Sequence, residues 1–285
     1  MTPPQEGVGA SDASTPAAVP GRVRTFARGL HHPEGVAAAP DGSLVCGSDD
    51  GRLLRVSADG EVAELARLPG ALLLGIAVLS DGSVAACDLT GNRLVLVGSG
   101  READLPAPEG GWRHPNFPLR LPDDTLLVTD SGRWGRDDGR IVHVLPGRGT
   151  AEVLARGLAF ANGLALLPDG AVALIESSSP ALSVWRRDDG RLERLDTIAL
   201  PAGVSDGVLA LADGSLLVAC YRPDSVLHVR DGEVAAIASD PTGLRLAAPT
   251  NLAPLPGFAD RVVIACFGGY HLAEIEPPAP ALTPW

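Results

Sequence analysis

Residues 161–176 read ANGLALLPDGAVALIE, and five related copies of this segment recur along the 285-residue chain. Each copy runs from a short opening motif through apolar residues to a turn that contains Asp. Repetition with a period of about 40–45 residues is typical of propeller blades. The other copies are HPEGVAAAPDGSLVC (32–46), LGIAVLSDGSVAAC (74–87), PNFPLRLPDDTLLVTD (115–130), SDGVLALADGSLLVAC (205–220) and TNLAPLPGFADRVVIAC (250–266).

The turns of the six copies follow one another at intervals of 40, 42, 46, 44 and 47 residues. Asp-Gly at such a position predicts a hairpin turn, since both residues tolerate positive φ. A short strand rich in Val, Leu and Ala follows each turn, and two further short strands complete the unit. The sequence therefore predicts an all-β fold, a six-bladed β-propeller with four antiparallel strands per blade. The turn markers are Asp41, Asp81, Asp123, Asp169, Asp213 and Asp260.

The two ends of the chain differ in character. Residues 1–20 are polar, rich in Pro and without pattern, which predicts a disordered tail, followed by a single propeller domain over residues 21–285. The segment RVRTFARGL, which begins at Arg22, reads as a strand. We expect it to complete the last blade by pairing with HLAEIE, which begins at His271, because this closure removes two open sheet edges.

Charge and composition exclude several classes of partner. The net charge is −12, from 23 basic and 35 acidic residues, and no basic stripe occurs, so we expect neither nucleic acid nor an anionic membrane as a partner. No run approaches the roughly 20 apolar residues of a membrane span, and no secretory signal pattern opens the chain. We expect a cytoplasmic protein that acts on a small molecule. Its oligomeric state stays open, and a monomer is one of the alternatives. The cysteines lack CxxC spacing and read as buried small hydrophobes: Cys46, Cys87, Cys220 and Cys266.

One position recurs at an equivalent point of every repeat. It lies seven residues before the Asp of the turn in each copy except the last, which is less regular. Equivalent positions of a closed ring converge on its axis, so we expect these side chains to meet there. Three of them, Glu34, Asn162 and Asp206, offer oxygen ligands, two of them anionic, which hard cations prefer. The sequence predicts one divalent cation, Ca²⁺ by default, with Mn²⁺, Mg²⁺ and Zn²⁺ as alternatives. The full set is Glu34, Leu74, Asn116, Asn162, Asp206 and Asn251.

An alternative interpretation is that ANG and SDG simply start turns, as Asn or Asp before Gly often does. The common register of the whole set favours the metal site over this alternative.

The segments PEGVAAAPDG, PNFPLRLPDD, ANGLALLPDG, SDGVLALADG and PTNLAPLPG resemble the senescence marker protein-30/gluconolactonase family, and the resemblance covers about residues 22–276. It implies lactone hydrolysis at a single axial cation held by Glu34, Asn162 and Asp206. The same resemblance implies that Asp206 is the catalytic base and that Asn116 helps to bind substrate and water.

Two positions depart from that family. His114 stands where the family has Arg, and Phe117 stands where it has Asp, so we expect these substrate-binding positions to accept a more apolar ligand, with Trp134 and Tyr270 on the rim. The segments LLLGIAVLSDGSVAACD (72–88) and ALIESSSPALSVWR (173–186) also resemble strictosidine synthase-like propellers, which condense an amine with an aldehyde without a metal. Glu176 falls on an acidic position of those repeats, which implies contact with substrate.

Three functions stay open at this point. The leading hypothesis is a metal-dependent hydrolase of a lactone or related cyclic ester. The second is a strictosidine synthase-like enzyme, or a cyclase, isomerase or lyase of a biosynthetic pathway, that uses the same axial site. The third is a non-enzymatic ligand-binding propeller, which is disfavoured because buried carboxylates are costly without a cation or partner.

Overall fold

The computed structural model describes residues 23–98, 100–188 and 190–283. Within these residues, 24 strands form six antiparallel sheets of four strands each, which confirms the six-bladed propeller. The only helical element among them is a 3₁₀ turn at Pro146–Arg148, and no described helix is long and apolar enough to span a membrane. The predicted disordered tail, residues 1–20, lies outside the described residues.

Each blade runs from an innermost strand at the axis to an outermost strand. Blade 1 contains β2 (Pro33–Ala38), β3 (Leu44–Ser48), β4 (Arg52–Val56) and β5 (Val62–Arg67), and blade 2 contains β6 (Leu73–Val78), β7 (Val84–Asp88), β8 (Arg93–Gly98) and β9 (Arg101–Asp104). Blade 3 contains β10 (Pro115–Arg120), β11 (Leu126–Asp130), β12 (Gly139–Leu145) and β13 (Thr150–Leu158). Blade 4 contains β14 (Ala161–Leu166), β15 (Val172–Glu176), β16 (Ala181–Asp188) and β17 (Arg191–Ala199).

The remaining strands form the last two blades. Blade 5 contains β18 (Val204–Ala210), β19 (Leu216–Arg222), β20 (Ser225–Arg230) and β21 (Glu233–Ser239). Blade 6 contains β22 (Pro249–Leu255), β23 (Phe258–Cys266), β24 (His271–Ile275) and, from the start of the chain, β1 (Arg24–Arg28).

The core lies between adjacent blades. The second strands β7, β11 and β15 are buried along their whole length because each is covered by a neighbouring sheet on both faces, so they read as unbroken apolar runs rather than alternating ones. The contact between blades 6 and 1, for example, joins Leu44 and Cys46 to Ala253 and Val263. All four cysteines are buried and free, as predicted.

The predicted closure of the ring is confirmed. Strand β1 pairs antiparallel with β24, with Thr25 opposite Ala273 and Arg28 opposite His271. One sheet therefore contains both the first and the last strand of the propeller, and neither edge of that junction is left open.

Five of the six predicted turn markers are confirmed. In each, the Asp carboxylate accepts the backbone N–H of the residue two positions on, as Asp41 does from Ser43 at 3.1 Å. The sixth marker is wrong, since Asp260 lies inside β23 and the turn is formed by Pro256 and Gly257. Gly257 has a φ of 82°, which this tight hairpin requires and which only glycine adopts without strain.

Candidate metal centre and its rim

The six axial positions lie in β-bulges at one end of the innermost strands. Pairing between β14 and β15 is interrupted between Ala161 and Leu164, so Asn162 falls within the irregularity. The same interruption surrounds Glu34 in β2 and Asp206 in β18, and it recurs in the other three innermost strands. Bulges re-aim side chains, and here they direct polar side chains into contact across blade boundaries. We call this end of the axial channel the acidic end; it comprises Glu34, Asn116, Asn162, Asp206 and Asn251.

Glycine follows four of the six axial residues because neighbouring innermost strands approach closely there. A Cβ atom on Gly163 would lie 2.7 Å from the backbone oxygen of Asp206 and 2.7 Å from the Cα atom of Gly207. Gly207 is crowded in the same way by the backbone of Thr250. Both glycines lie within strands, so ANG and SDG are not turns and the alternative interpretation of these motifs is wrong.

Hydrogen bonds connect the acidic end around the ring. Between blades 6 and 1, the Asn251 side-chain amide donates to the Glu34 backbone oxygen at 3.2 Å and lies 3.4 Å from Glu34 Oε2. Between blades 4 and 5, the Asn162 amide donates to Ser177 Oγ at 3.1 Å, and that hydroxyl donates to the Ser205 backbone oxygen at 2.6 Å. The polar side chains are thereby held in fixed orientations by neighbouring blades.

The two acids of the set are buried and interact with each other. Burial raises the pKa of Glu34 well above its usual value, and the nearby charge of Asp206 raises it further. Burial also raises the pKa of Asp206 to about 7, while the Asn162 side chain lowers it in part. No basic side chain is among the groups that shift either pKa. Two buried carboxyl groups without a cationic partner are therefore close together at this end of the channel.

Three buried oxygen atoms at the acidic end accept no hydrogen bond: Asn116 Oδ1, Asn162 Oδ1 and Asp206 Oδ1. Native proteins rarely leave buried acceptors unpaired, because each costs about 1–3 kcal/mol. Neutral amide oxygens beside carboxylates form the ligand set that hard divalent cations prefer. The residues present therefore fit a cation held by Glu34, Asn162 and Asp206.

The two predicted substrate-binding residues of blade 3 flank Asn116. The His114 backbone N–H donates to Asp130 at 2.5 Å, and its ring packs edge-on against Phe160 with the ring centroids 5.3 Å apart. Burial lowers the pKa of His114 below its usual value of 6.5, so the ring is neutral at pH 7. Phe117 lies further down the channel, half-buried, with its ring against the backbone of Gly75. This side of the site thus offers an apolar surface at the two positions where the gluconolactonase family that the sequence resembles has Arg and Asp.

Glu176 is held by contacts within its own blade. It is the last residue of β15, and its carboxylate accepts the Ala159 N–H at 2.9 Å and forms a 2.8 Å ion pair with Arg194. The last residues of β7 and β11 form equivalent ion pairs, Asp88 with Arg93 and Asp130 with Arg140. We therefore assign Glu176 a structural role, in which it orients the loop leading to Asn162. Direct contact of Glu176 with substrate stays a prediction, and these bonds disfavour it.

Sequence reasoning named His114, Trp134 and Tyr270 among the ring-bearing side chains around the acidic end, but it missed Phe160, Tyr221 and Phe267. Apart from Tyr221, which lies near the end of β19, these side chains occur in loops that join blades or second to third strands, so their signal would be a shared loop position rather than a motif. We call them the aromatic rim and divide them into a first cluster, His31, His32, Tyr221, Phe267 and Tyr270, and a second cluster, His114, Trp134 and Phe160.

Part of the first cluster could itself hold a metal ion. His31 Nδ1 lies 2.5 Å from Asp49 Oδ1, and one ligand atom from each of His31, His32 and Asp49 falls within 4.8 Å of the others. The His32 Nδ1 atom is bonded to the Phe267 backbone oxygen at 2.7 Å. This group is only partly buried and offers nitrogen ligands, which suit zinc better than calcium.

A cavity of about 450 Å³ lies towards the opposite end of the channel. It is lined mainly by aliphatic side chains from the second halves of the innermost strands, such as Val78, Leu166 and Ala210. None of the polar residues of the acidic end lines it. This cavity and the candidate metal centre are therefore at different ends of one channel.

Comparison with known proteins agrees with this architecture. A profile of the strictosidine synthase-like family, N-terminal part, matches residues 24–56. No curated protein sequence matches the chain. The structure is similar to a gluconolactonase from Xanthomonas campestris, with 21% identity and a TM-score of 0.75 over 92% of this chain and 90% of that chain. It is also similar to a luciferin-regenerating enzyme, with 14% identity and a TM-score of 0.74 over 92% and 97% of the two chains.

A third similar structure is regucalcin, a calcium-binding protein from Agrobacterium tumefaciens, with 17% identity and a TM-score of 0.70 over 92% and 94% of the two chains. These likenesses establish a shared fold over nearly the whole chain, and they confirm the resemblance to gluconolactonases together with strictosidine synthase-like features.

Proposed function

We propose that this protein is a metal-dependent hydrolase that opens a lactone or related cyclic ester at the acidic end of the channel. The observation that carries the proposal is the group of unpaired buried oxygens, Asn116 Oδ1, Asn162 Oδ1 and Asp206 Oδ1, beside the interacting acid Glu34. The fold shared with a gluconolactonase and a calcium-binding propeller supports it.

Glu34, Asn162 and Asp206 would hold the cation through oxygen atoms, which makes Ca²⁺ the default, with Mn²⁺, Mg²⁺ and Zn²⁺ as alternatives. When bound, such a cation supplies Lewis-acid polarisation of the ester carbonyl. The hydrogen bonds that Asn251 donates to Glu34 Oε2 and that Asn162 donates to Ser177 Oγ orient two of the ligand side chains in advance. A pre-oriented ligand set lowers the ordering cost of binding.

Asp206 is the proposed base. With one carboxylate oxygen on the cation, the other oxygen of this buried side chain can take a proton from the attacking water. The water oxygen bonds to the carbonyl carbon, the ring C–O bond breaks, and the departing alkoxide receives a proton to give a hydroxy acid. Asn116 Oδ1 is also a free acceptor and can hold that water in place.

A second candidate is a strictosidine synthase-like condensation, or a cyclase, isomerase or lyase reaction, at the same site, since the family profile matches residues 24–56. That segment contains Glu34, while Glu176, the acid expected to serve this chemistry, is engaged by Arg194. A third candidate, ligand binding without catalysis, is compatible with the same oxygens but gives no function to a free acceptor on an acid whose pKa is near 7.

The decisive experiment measures hydrolysis of a lactone panel by protein stripped of metal with a chelator and then supplied with Ca²⁺, Mn²⁺, Mg²⁺ or Zn²⁺. We expect turnover of at least one lactone to require added cation and to be lost in Asp206→Asn. If the metal-loaded protein opened no lactone in the panel, the hydrolase proposal would be wrong. Turnover that survived complete removal of metal would instead exclude the metal-dependent mechanism.

A further inference from the structure

Aromatic side chains are scarce in this protein, at 4% of residues, yet five of them surround the acidic end: Trp134, Phe160, Tyr221, Phe267 and Tyr270. Tyr221 lies near the end of the second strand β19, and the loops that contain the other four follow a second strand or precede an innermost strand. The same end of the sheets holds the bulges with Glu34, Asn162 and Asp206. The aromatic rings are therefore concentrated where a substrate would enter.

The first cluster spans blades 5, 6 and 1. The Tyr270 ring lies 4.8 Å from the His32 ring and 5.5 Å from the His31 ring. Phe267 extends this surface, with its ring 6.0 Å from that of His32 and 6.4 Å from that of Tyr221. These separations are those of stacked and edge-on aromatic pairs, so the cluster is one continuous surface.

The second cluster belongs to blades 3 and 4. The Phe160 ring lies 5.0 Å from the Trp134 ring and 5.3 Å from the His114 ring, in edge-on arrangements. The innermost strands pack in ring order, with β10 between β6 and β14 and with β22 between β18 and β2. Blade 3 is therefore opposite blade 6, and the two clusters face each other across the mouth of the site.

One aromatic ring in each cluster is largely exposed, Trp134 at 56% and Tyr270 at 55%. Large aromatic surfaces exposed together next to a buried polar site are typical of ligand-binding sites. A planar apolar group that packs against these rings would cover surface that otherwise contacts water.

The guanidinium that would bind a sugar acid is replaced at His114 and engaged at Arg222. His114 is neutral at pH 7 because burial lowers its pKa, and it stands where a fork of guanidinium donors would bind a carboxylate. Arg222 lies over the Tyr221 ring at 4.9 Å, but its Nη1 atom is already bonded to the Tyr221 backbone oxygen and to Asp224. At these two positions the rim thus favours contact with an apolar group over binding of a carboxylate.

We propose that the substrate of this site is a lactone that bears an aromatic or flat apolar substituent, which packs against the aromatic rim, with Trp134 and Tyr270 as its exposed contact residues, while the ester group reaches the acidic end. The reaction in this inference rests on the proposed hydrolase function, whereas the binding surface does not depend on it. The binding surface can therefore be tested separately from the reaction.

The kinetic test compares γ-phenyl-γ-butyrolactone with unsubstituted γ-butyrolactone, using calcium-loaded protein and dividing each kcat/KM by the uncatalysed hydroxide rate. We expect the phenyl compound to be preferred by about 10-fold or more. Trp134→Ala and Tyr270→Ala should each lower kcat/KM for the phenyl compound by about 2- to 10-fold, the usual contribution of an aromatic pair, and lower it less for the unsubstituted lactone. Phe258→Ala is the matched control and should change neither rate, since Phe258 is an exposed aromatic residue (41%) at the start of β23, at the end of blade 6 that is far from the rim.

The binding test uses the corresponding lactams, which resist hydrolysis, and measures their affinity by calorimetry. We expect 5-phenyl-2-pyrrolidinone to bind more tightly than 2-pyrrolidinone and to lose this advantage in Trp134→Ala. If no lactone is hydrolysed but the phenyl lactam shows this preference, the binding surface stands and the hydrolase proposal is wrong. Equal affinities for the two lactams, or a preference for glucono-δ-lactone over the phenyl lactone, would overturn the aromatic substrate class.

Discussion

The carboxyl groups of Glu34 and Asp206, which belong to blades 1 and 5, lie close enough at the channel axis for the charge of Asp206 to raise the pKa of Glu34. Both groups are buried, and burial is the larger cause of each shift. A site of this kind stores unfavourable electrostatic energy until a cation or protons neutralise it. Metal binding, the pH dependence of stability and turnover should all depend on this pair of carboxyl groups and on the backbone that positions them.

Removing either acid should abolish calcium binding. Glu34→Gln and Asp206→Asn keep the shape of the side chain but remove one of the two negative charges, so we expect no binding of Ca²⁺ by calorimetry and about one ion per chain in the unaltered protein. His31→Ala is the control, because His31 lies in the rim group that offers nitrogen ligands. If both acid variants kept one bound Ca²⁺ per chain, the axial assignment would be wrong.

Stabilisation by metal should grow with pH. In metal-free protein the pKa of Asp206 is raised from 3.8 to about 7, so the folded state holds a proton that the unfolded state has released. Stability of the metal-free protein is therefore lost as pH rises from about 4 to about 7, while bound cation favours the ionised form. We expect the difference in Tm between calcium-loaded and chelator-treated protein to increase from pH 5 to pH 7.5. A difference that stayed constant or shrank over this range would contradict the raised pKa.

Asp206→Asn should reduce turnover by about 100-fold or more, because the variant loses both a negatively charged ligand and the carboxylate that takes the proton as general base. The measurement is kcat for the best lactone of the panel, with the variant and the unaltered protein at the same cation concentration. Asn116→Ala should cost less, since Asn116 orients water without taking its proton. Near-normal kcat in Asp206→Asn would remove this residue from the mechanism.

Glu176→Gln should keep most of the turnover and lose stability. The amide oxygen can still accept the Ala159 N–H, but the ion pair with the partly exposed Arg194 is lost, so we expect a decrease of about 1–3 kcal/mol in the free energy of unfolding. Denaturant unfolding measures this loss, and kcat measured on the same variant separates structure from chemistry. If Glu176→Gln abolished turnover while Asp206→Asn spared it, the strictosidine synthase-like alternative would be favoured.

Gly163→Ala should destabilise the propeller although alanine is normally neutral or favourable in a strand without positive φ. The new Cβ atom would lie 2.7 Å from both the Asp206 backbone oxygen and the Gly207 Cα atom, so blades 4 and 5 must separate. Overpacking of this kind costs about 1–3 kcal/mol. Gly147→Ala is the matched control, because nothing lies within 4 Å of the position that its new Cβ atom would take. Equal unfolding midpoints for the two variants would refute the close approach of the innermost strands.

The repeat allowed the fold and the axial set to be predicted, since equal spacing places Glu34, Asn162 and Asp206 at equivalent points of a ring. The bulges could not be predicted, because a register shift depends on pairing with the next strand rather than on local sequence. The blade 6 turn was misplaced for a related reason: Pro256 and Gly257 form a tighter hairpin than the Asp-Gly turns, and Asp260 falls inside β23.

The role of Glu176 and the aromatic rim depend on contacts between segments distant in sequence. Arg194 is in the outermost strand of the same blade, and the loop it helps to fix precedes Asn162. The rim brings together loops from blades 5, 6 and 1, as in the contact of His32 with Phe267. No local pattern of residue types distinguishes such loops from ordinary polar connections.

The pairing of β1 with β24 has a consequence for biosynthesis. The ribosome synthesises β1 before the other strands of the propeller and its partner β24 after them. Thr25 therefore cannot pair with Ala273 until all the intervening strands have been made. Until then blade 6 lacks its outermost strand, and no closed ring holds Asn251 against Glu34. The axial site is therefore completed only after translation has passed the final blade, and a truncated chain would present two unpaired edges to its neighbours instead of a closed propeller.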